Sequence, residues 1–171
     1  MVGEIIKITL PSLIVFFTAF YTLKTMLKRE KEVRRIEIIL QNQKMITPIR
    51  LQAYERIMLF LDRISPNSVI MRLQTPNMTV RQLQGEMLQI IRTEFEHNMS
   101  QQLYLSIEAW EEVKIAKEKT IKLINSLADE LKPDDNAIKL SQLIFEELIE
   151  MQETPNQKAI NMLKREISVL F

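Results

Sequence analysis

The chain has no cysteine, only two glycines and a single histidine among its 171 residues. Without cysteine it has no disulfide, no thiolate nucleophile and no cysteine-ligated zinc or iron–sulfur site. Phosphate-binding loops of the familiar nucleotide-binding types need clustered glycines, and Gly3 and Gly85 are far apart. Leucine, isoleucine, glutamate, glutamine and lysine are abundant instead, which is the composition of an all-α protein.

The longest uncharged run, ITLPSLIVFFTAFYTL, occupies residues 8–23. With residues 5–7 it makes a stretch of 19 residues. Such a helix measures about 28 Å, close to the roughly 30 Å of a hydrocarbon core. A signal peptide is disfavoured, because its positive charge precedes the apolar core and a small-x-small cleavage site follows. We therefore expect a retained transmembrane anchor in residues 1–24, with a buried core helix as the alternative.

A basic segment follows this run at once. Residues 24–35 carry six basic and two acidic groups, a net charge of +4, whereas residues 1–23 are neutral. The basic residues are Lys24, Lys28, Arg29, Lys31, Arg34 and Arg35. By the positive-inside rule they predict a cytoplasmic C-terminal body and an N-terminus outside. They are also candidate contacts for anionic lipid headgroups. The remaining residues, 36–171, sum to −3, which argues against a nucleic-acid-binding body.

Beyond the anchor the sequence predicts a stalk helix in residues 25–47 and a compact multi-helix domain in residues 48–171. Helix starts are indicated by Ser or Thr caps and by proline at the first helical position. The expected starts are Thr47-Pro48, Ser65-Pro66, Thr79 with Gln82 in a capping box, Ser106, Ala137 and Thr154-Pro155. Residues 101–105 alternate polar and apolar side chains and are expected to be briefly extended.

Few residues in this domain suggest chemistry. Glu94 and His97 form the Glu-x-x-His pattern of di-iron helical bundles, with Glu96 beside them. Such a site uses two of these motifs, so a second copy of the chain would be needed. The alternative is a histidine in the last turn of a helix, where the helix dipole favours it. Trp110 is expected in the core, and Gly85 is expected to mark a close helix crossing.

The stalk contains a candidate interaction face. Residues 36–40 include four large apolar side chains directly after the charged segment. The face comprises Val33, Ile36, Ile39 and Leu40. Burial of such side chains is worth roughly 1.5–3 kcal/mol each, so we expect them to be covered. The cover is either the protein's own helices or a partner or second copy.

Three stretches carry a resemblance to a known family. They are QAYERIMLFLDRISPNSVIMRL at 52–73, TEFEHNMSQQLYLSIEAWEEVKIAKEKTIKLIN at 93–125 and PNQKAINMLKREI at 155–167. The chain resembles an uncharacterised family of small membrane-anchored helical proteins from Bacteroidota. The resemblance implies an inner-membrane protein of a Gram-negative cell. It implies no catalytic or binding residues.

The leading functional hypothesis is a single-pass inner-membrane protein whose helical domain is an adaptor, scaffold or accessory subunit without catalysis. One alternative is a metal-dependent enzyme that uses Glu94, Glu96 and His97 across a homodimer. Another is a peripheral module that senses anionic lipid through residues 24–35. Expected partners are membrane lipid and another protein or a second copy. No pattern indicates a cofactor, a small-molecule substrate or a nucleic acid.

Overall fold

The computed structural model describes the backbone of residues 2–170 and the side chains of residues 13–168. Within that range the chain is all-helical, as its composition predicts. The helices are α1 (Val2–Arg63), α2 (Pro66–Leu73), α3 (Val80–Asn98), α4 (Ile107–Asp129), α5 (Ala137–Glu150) and α6 (Pro155–Leu170), with a 3-10 helix at Met99–Leu103. The contacts divide the chain into two units, Met1–Thr47 and Pro48–Phe171.

The transmembrane helix expected near the N-terminus is wrong. None of the helices that the structure describes combines the length and the apolar character needed to cross a membrane. The uncharged run has 16 residues, which as a helix measure about 24 Å and fall short of the roughly 30 Å hydrocarbon core. Pro11, Ser12 and three threonines lower its hydropathy further, and Lys7 and Lys24 bound it. The predicted inner-membrane localisation depended on this helix and is also wrong, as is the predicted N-terminus outside the membrane. The side chains of residues 2–12 lie outside the described residues.

Most helices of the second unit begin where their capping residues predict. Thr79 and Gln82 form the expected capping box at the start of α3. The Ser106 hydroxyl accepts the backbone N–H of Ala109, and the Thr154 hydroxyl accepts that of Gln157. Each cap satisfies a donor that has no partner inside its helix, which is why these boundaries are readable from a few adjacent residues.

Two local predictions fail. Helix α1 runs through Pro48, so no new helix begins at Thr47. Proline in a helix interior costs about 3 kcal/mol, and its neighbours Thr47 and Ile49 are β-branched. Better helix formers about one turn away on each side, such as Met45 and Leu51, favour continuing the helix through it. Residues 101–105 are not extended, because Met99–Leu103 is a 3-10 helix that links α3 to α4. A period-2 pattern over five residues is too short to distinguish the two conformations.

The core of the second unit collects apolar residues from α1 to α6. Phe60, Phe95 and Trp110 form its aromatic centre, with ring centroids 5.9 Å apart for Phe60–Phe95 and 5.5 Å for Phe95–Trp110. The Lys117 ammonium lies 4.2 Å from the centroid of Phe95. Trp110 is only 9% exposed, which confirms its expected place in the core. The largest fully buried side chains are Tyr54, Phe60, Ile57, Leu61, Ile64, Leu83, Met87, Ile91, Ile124, Leu140, Ile144 and Leu163.

Gly85 does not lie at a helix crossing, contrary to expectation. It is exposed on α3, and a Cβ added there would meet no atom within 4 Å. Its φ is not positive, so the backbone does not require glycine either. Gly85 is therefore not explained by close packing of α3 against another helix.

A buried polar network joins three helices of this unit. The Asn156 amide donates to the carbonyl oxygen of Leu61 at 2.6 Å and accepts the Thr120 hydroxyl at 2.9 Å. The Leu61 carbonyl lies in the last turn of α1, and the N–H of Ser65, four residues on, bonds to Asp62 instead. Asn156 thus satisfies a carbonyl that the helix end leaves without a partner. The network fixes α6 against α1 and α4.

Candidate functional site

The first unit exposes many large apolar side chains to solvent. Seventeen large apolar side chains between residues 13 and 46 are 47–72% exposed. The predicted interaction face, Val33, Ile36, Ile39 and Leu40, belongs to this set. The unit is a single helical segment, so it has no neighbour of its own to cover them. We call these seventeen side chains the apolar helix surface.

Basic and acidic residues alternate along the same segment. All six basic residues of 24–35 are exposed. Arg34 donates to Glu30, one turn earlier, at 2.7 Å. An ion pair at this spacing stabilises a helix by about 0.2–0.5 kcal/mol. The surface that follows the uncharged run is therefore apolar with charges of both signs.

The structure separates the three residues of the suggested metal site. Glu94 is 15% exposed and faces two arginines, with its Oε1 3.5 Å from Arg63 Nη1 and 3.8 Å from Arg72 Nη1. Glu96 and His97 are exposed, and His97 lies in the last turn of α3, as expected. Among the described residues no three carboxylate, histidine or cysteine side chains come together as a metal site would require. A site shared between two copies stays an untested prediction.

Arg63 and Glu94 also line a shallow groove between α1 and α3. The groove has a volume of about 290 Å³ and is lined by Arg56, Leu59, Phe60, Arg63, Glu94 and Asn98. We call it the arginine groove. Arg56 and Arg63 are seven residues apart, which places them on one face of α1. That spacing is visible in the sequence and could have indicated the pair. No sequence pattern near Glu94 indicates that α3 brings it close to Arg63.

A second polar group, also absent from the sequence predictions, is buried between α1 and α6. The Tyr54 hydroxyl and one carboxylate oxygen of Glu166 are inaccessible to solvent, and neither has a hydrogen-bond partner among the described residues. Burial, and then the neighbouring Glu166 carboxylate, raise the pKa of Tyr54, and Arg50 opposes this. Arg50 also donates to the carbonyl oxygen of Tyr104 at 3.2 Å. The arrangement joins α6 to α1 and favours a neutral tyrosine.

Comparison with known proteins gives one result. Residues 1–170 match a family of unknown function, DUF7935. The chain belongs to this family. Neither the curated proteins nor the solved structures contain a significant match.

Membership in DUF7935 confirms that the chain is part of an uncharacterised family, which the three quoted stretches had suggested. The family description carries no activity and no ligand. Candidate sites in this DUF7935 protein, such as the apolar helix surface and the arginine groove, therefore rest on their own geometry.

Proposed function

We propose that the protein is an adaptor or scaffold whose apolar helix surface binds another protein or a second copy of the chain. The observation that carries the proposal is the exposure of seventeen large apolar side chains on one helical segment. Monomeric proteins rarely expose contiguous apolar patches larger than a few hundred Å², and larger ones mark interaction sites. An origin in Bacteroidota, which the resemblance implies, stays a prediction.

The charge pattern favours a protein as the partner. Glu30, Glu32 and Glu37 lie among the basic residues. These carboxylates lower the net charge of residues 24–37 to +3 and weaken their attraction to anionic lipid. A protein surface can present complementary charges to both signs. The second unit is compatible with such a role, because its aromatic centre and its Asn156 network hold its own helices together as a folded body.

The proposal is tested by the double substitution Ile36→Glu and Leu40→Glu in the full chain. Both side chains are about half exposed, so the urea midpoint of the second unit should not change. Self-association measured by analytical ultracentrifugation, or crosslinking to an identified neighbour, should be lost, because two charges would be forced into an apolar interface.

The matched control is Gln41→Glu with Gln43→Glu, which introduces the same two charges at exposed polar positions of the same helical segment. This control should retain association. If the Ile36 and Leu40 variant associates as the wild type does, or if the control loses association to the same extent, the apolar helix surface is not the binding surface.

A further inference from the structure

The arginine groove has the shape and charge of a small anion site, and its role is independent of the adaptor function. We propose that it binds a phosphate group, either free or as a phosphate monoester. The groove lies wholly in the second unit, between the C-terminal part of α1 and the C-terminal part of α3. Its volume of about 290 Å³ is at the lower limit for small-molecule sites.

Hydrogen bonds hold Arg72 in place beside the groove, and Arg63 keeps N–H donors that no close hydrogen bond uses among the side chains that the structure describes. Arg72 is fixed by two backbone carbonyls, since its Nε donates to Ser68 at 3.1 Å and its Nη2 donates to Arg63. Glu94 lies 3.5 and 3.8 Å from the nearest nitrogens of Arg63 and Arg72. Both distances exceed those of charge-assisted hydrogen bonds, about 2.7–2.9 Å. Arg63 therefore keeps N–H donors that a ligand can use.

Arg56 adds a positive charge to the wall of the groove. It is exposed on the groove wall and makes no ion pair with any residue in the described part of the chain. Arg56, Arg63 and Glu94 line the groove, and Arg72 lies beside it, with its Nη1 3.8 Å from Glu94. The three arginines and one carboxylate sum to a formal charge of +2, which suits the −1.5 to −2 of a phosphate monoester near pH 7 better than the −1 of a carboxylate. The arginine fork also suits phosphate oxygens geometrically.

One side of the groove is apolar. Leu59 is 59% exposed next to the arginines, with the buried Phe60 behind it. An organic group on the phosphate can cover Leu59, which inorganic phosphate cannot do. A phosphate ester with a small apolar group should therefore bind more tightly than inorganic phosphate.

The test is titration of the full chain with inorganic phosphate and with phenyl phosphate at constant ionic strength, followed by calorimetry or by NMR shifts. Both probes should bind saturably, with phenyl phosphate the tighter. Arg56→Gln should weaken binding by about tenfold, the loss expected for one charge-assisted contact. Because Arg56 makes no ion pair within the described residues, this variant should keep the native thermal midpoint.

Two further variants decide between a ligand site and a simple structural bridge. Glu94→Gln removes the internal competitor for Arg63 and Arg72, so it should tighten phosphate binding. A groove that exists only to hold the bridge would show no such gain. Arg92→Gln, which removes an exposed arginine of α3 outside the groove, should leave the affinity unchanged.

Saturable binding that follows this order supports the site. The proposal is overturned if neither probe saturates, if Arg92→Gln weakens binding as much as Arg56→Gln does, or if Glu94→Gln fails to tighten it. Loss of association in the Ile36 and Leu40 variant is a separate readout, so failure of either proposal can be recognised without the other.

Discussion

Replacing Asn156 by leucine should destabilise the second unit strongly, although the two side chains have the same number of non-hydrogen atoms and the same branching. Asn156 is 4% exposed and connects the Leu61 carbonyl to the Thr120 hydroxyl. Leucine would leave both groups buried without this partner, at about 1–3 kcal/mol for each unsatisfied group. The Thr120 hydroxyl can turn back to a carbonyl of its own helix, which recovers part of the loss. We therefore expect a total of about 2–4 kcal/mol.

Urea unfolding followed by tryptophan fluorescence is a suitable assay, because Trp110 is the single tryptophan and lies in the core of the second unit. The midpoint should fall while the slope with urea stays constant, since the surface exposed on unfolding hardly changes. A double-mutant cycle with Thr120→Val should give a coupling energy of about 0.5–3 kcal/mol, the range for residues in one network.

Asn161→Leu is the matched control, since Asn161 lies on the same helix and its amide donates to Glu153 at 2.9 Å in an exposed position. It should change stability by less than about 0.5 kcal/mol. Equal losses for the Asn156 and Asn161 variants, or a coupling energy of zero, would show that the buried network does not hold the three helices together.

Two other substitutions test single features of the second unit. Gly85→Ala should raise the free energy of unfolding by about 0.4–1 kcal/mol, because the added methyl group meets open space on an exposed helix face; a loss of stability would mean that the site is crowded. Burial and Glu166 raise the pKa of Tyr54 above its usual value, so the folded state holds this proton more tightly and stability should fall as the pH rises above about 10. The variant Tyr54→Phe should lose less stability above about pH 10 than the wild type, as measured by urea unfolding across the pH range. An unchanged dependence of stability on pH would exclude Tyr54 as its source.

Local sequence determined where most helices of the second unit begin. Thr79 with Gln82, Ser106 and Thr154 each accept a backbone N–H within the first turn, so the boundary depends on residues that are neighbours in the chain. The sequence also identified Trp110 as a core position, since one face of an amphipathic helix is buried whatever it packs against.

The predictions that failed were based on weak local patterns. The membrane anchor was inferred from an uncharged run of 16 residues, whose length and threonine content put it near the threshold at which a helix can span. Pro48 was expected to begin a helix but lies inside α1, and Gly85 was expected at a close helix crossing but lies on an exposed face of α3. Single residues bias the backbone by at most about 3 kcal/mol, and the rest of the helix outweighs them.

Only the tertiary structure decided which polar groups meet. Glu94 is 31 residues from Arg63 in sequence and Asn156 is 95 residues from Leu61, yet each pair is in contact. Pairing at such separations follows from how the helices pack against one another, and no local pattern encodes it. The sequence by itself therefore determined an all-helical chain with an apolar N-terminal segment. Packing placed Glu94 near two arginines, because a partly buried carboxylate is stabilised by the cations that the fold brings to it.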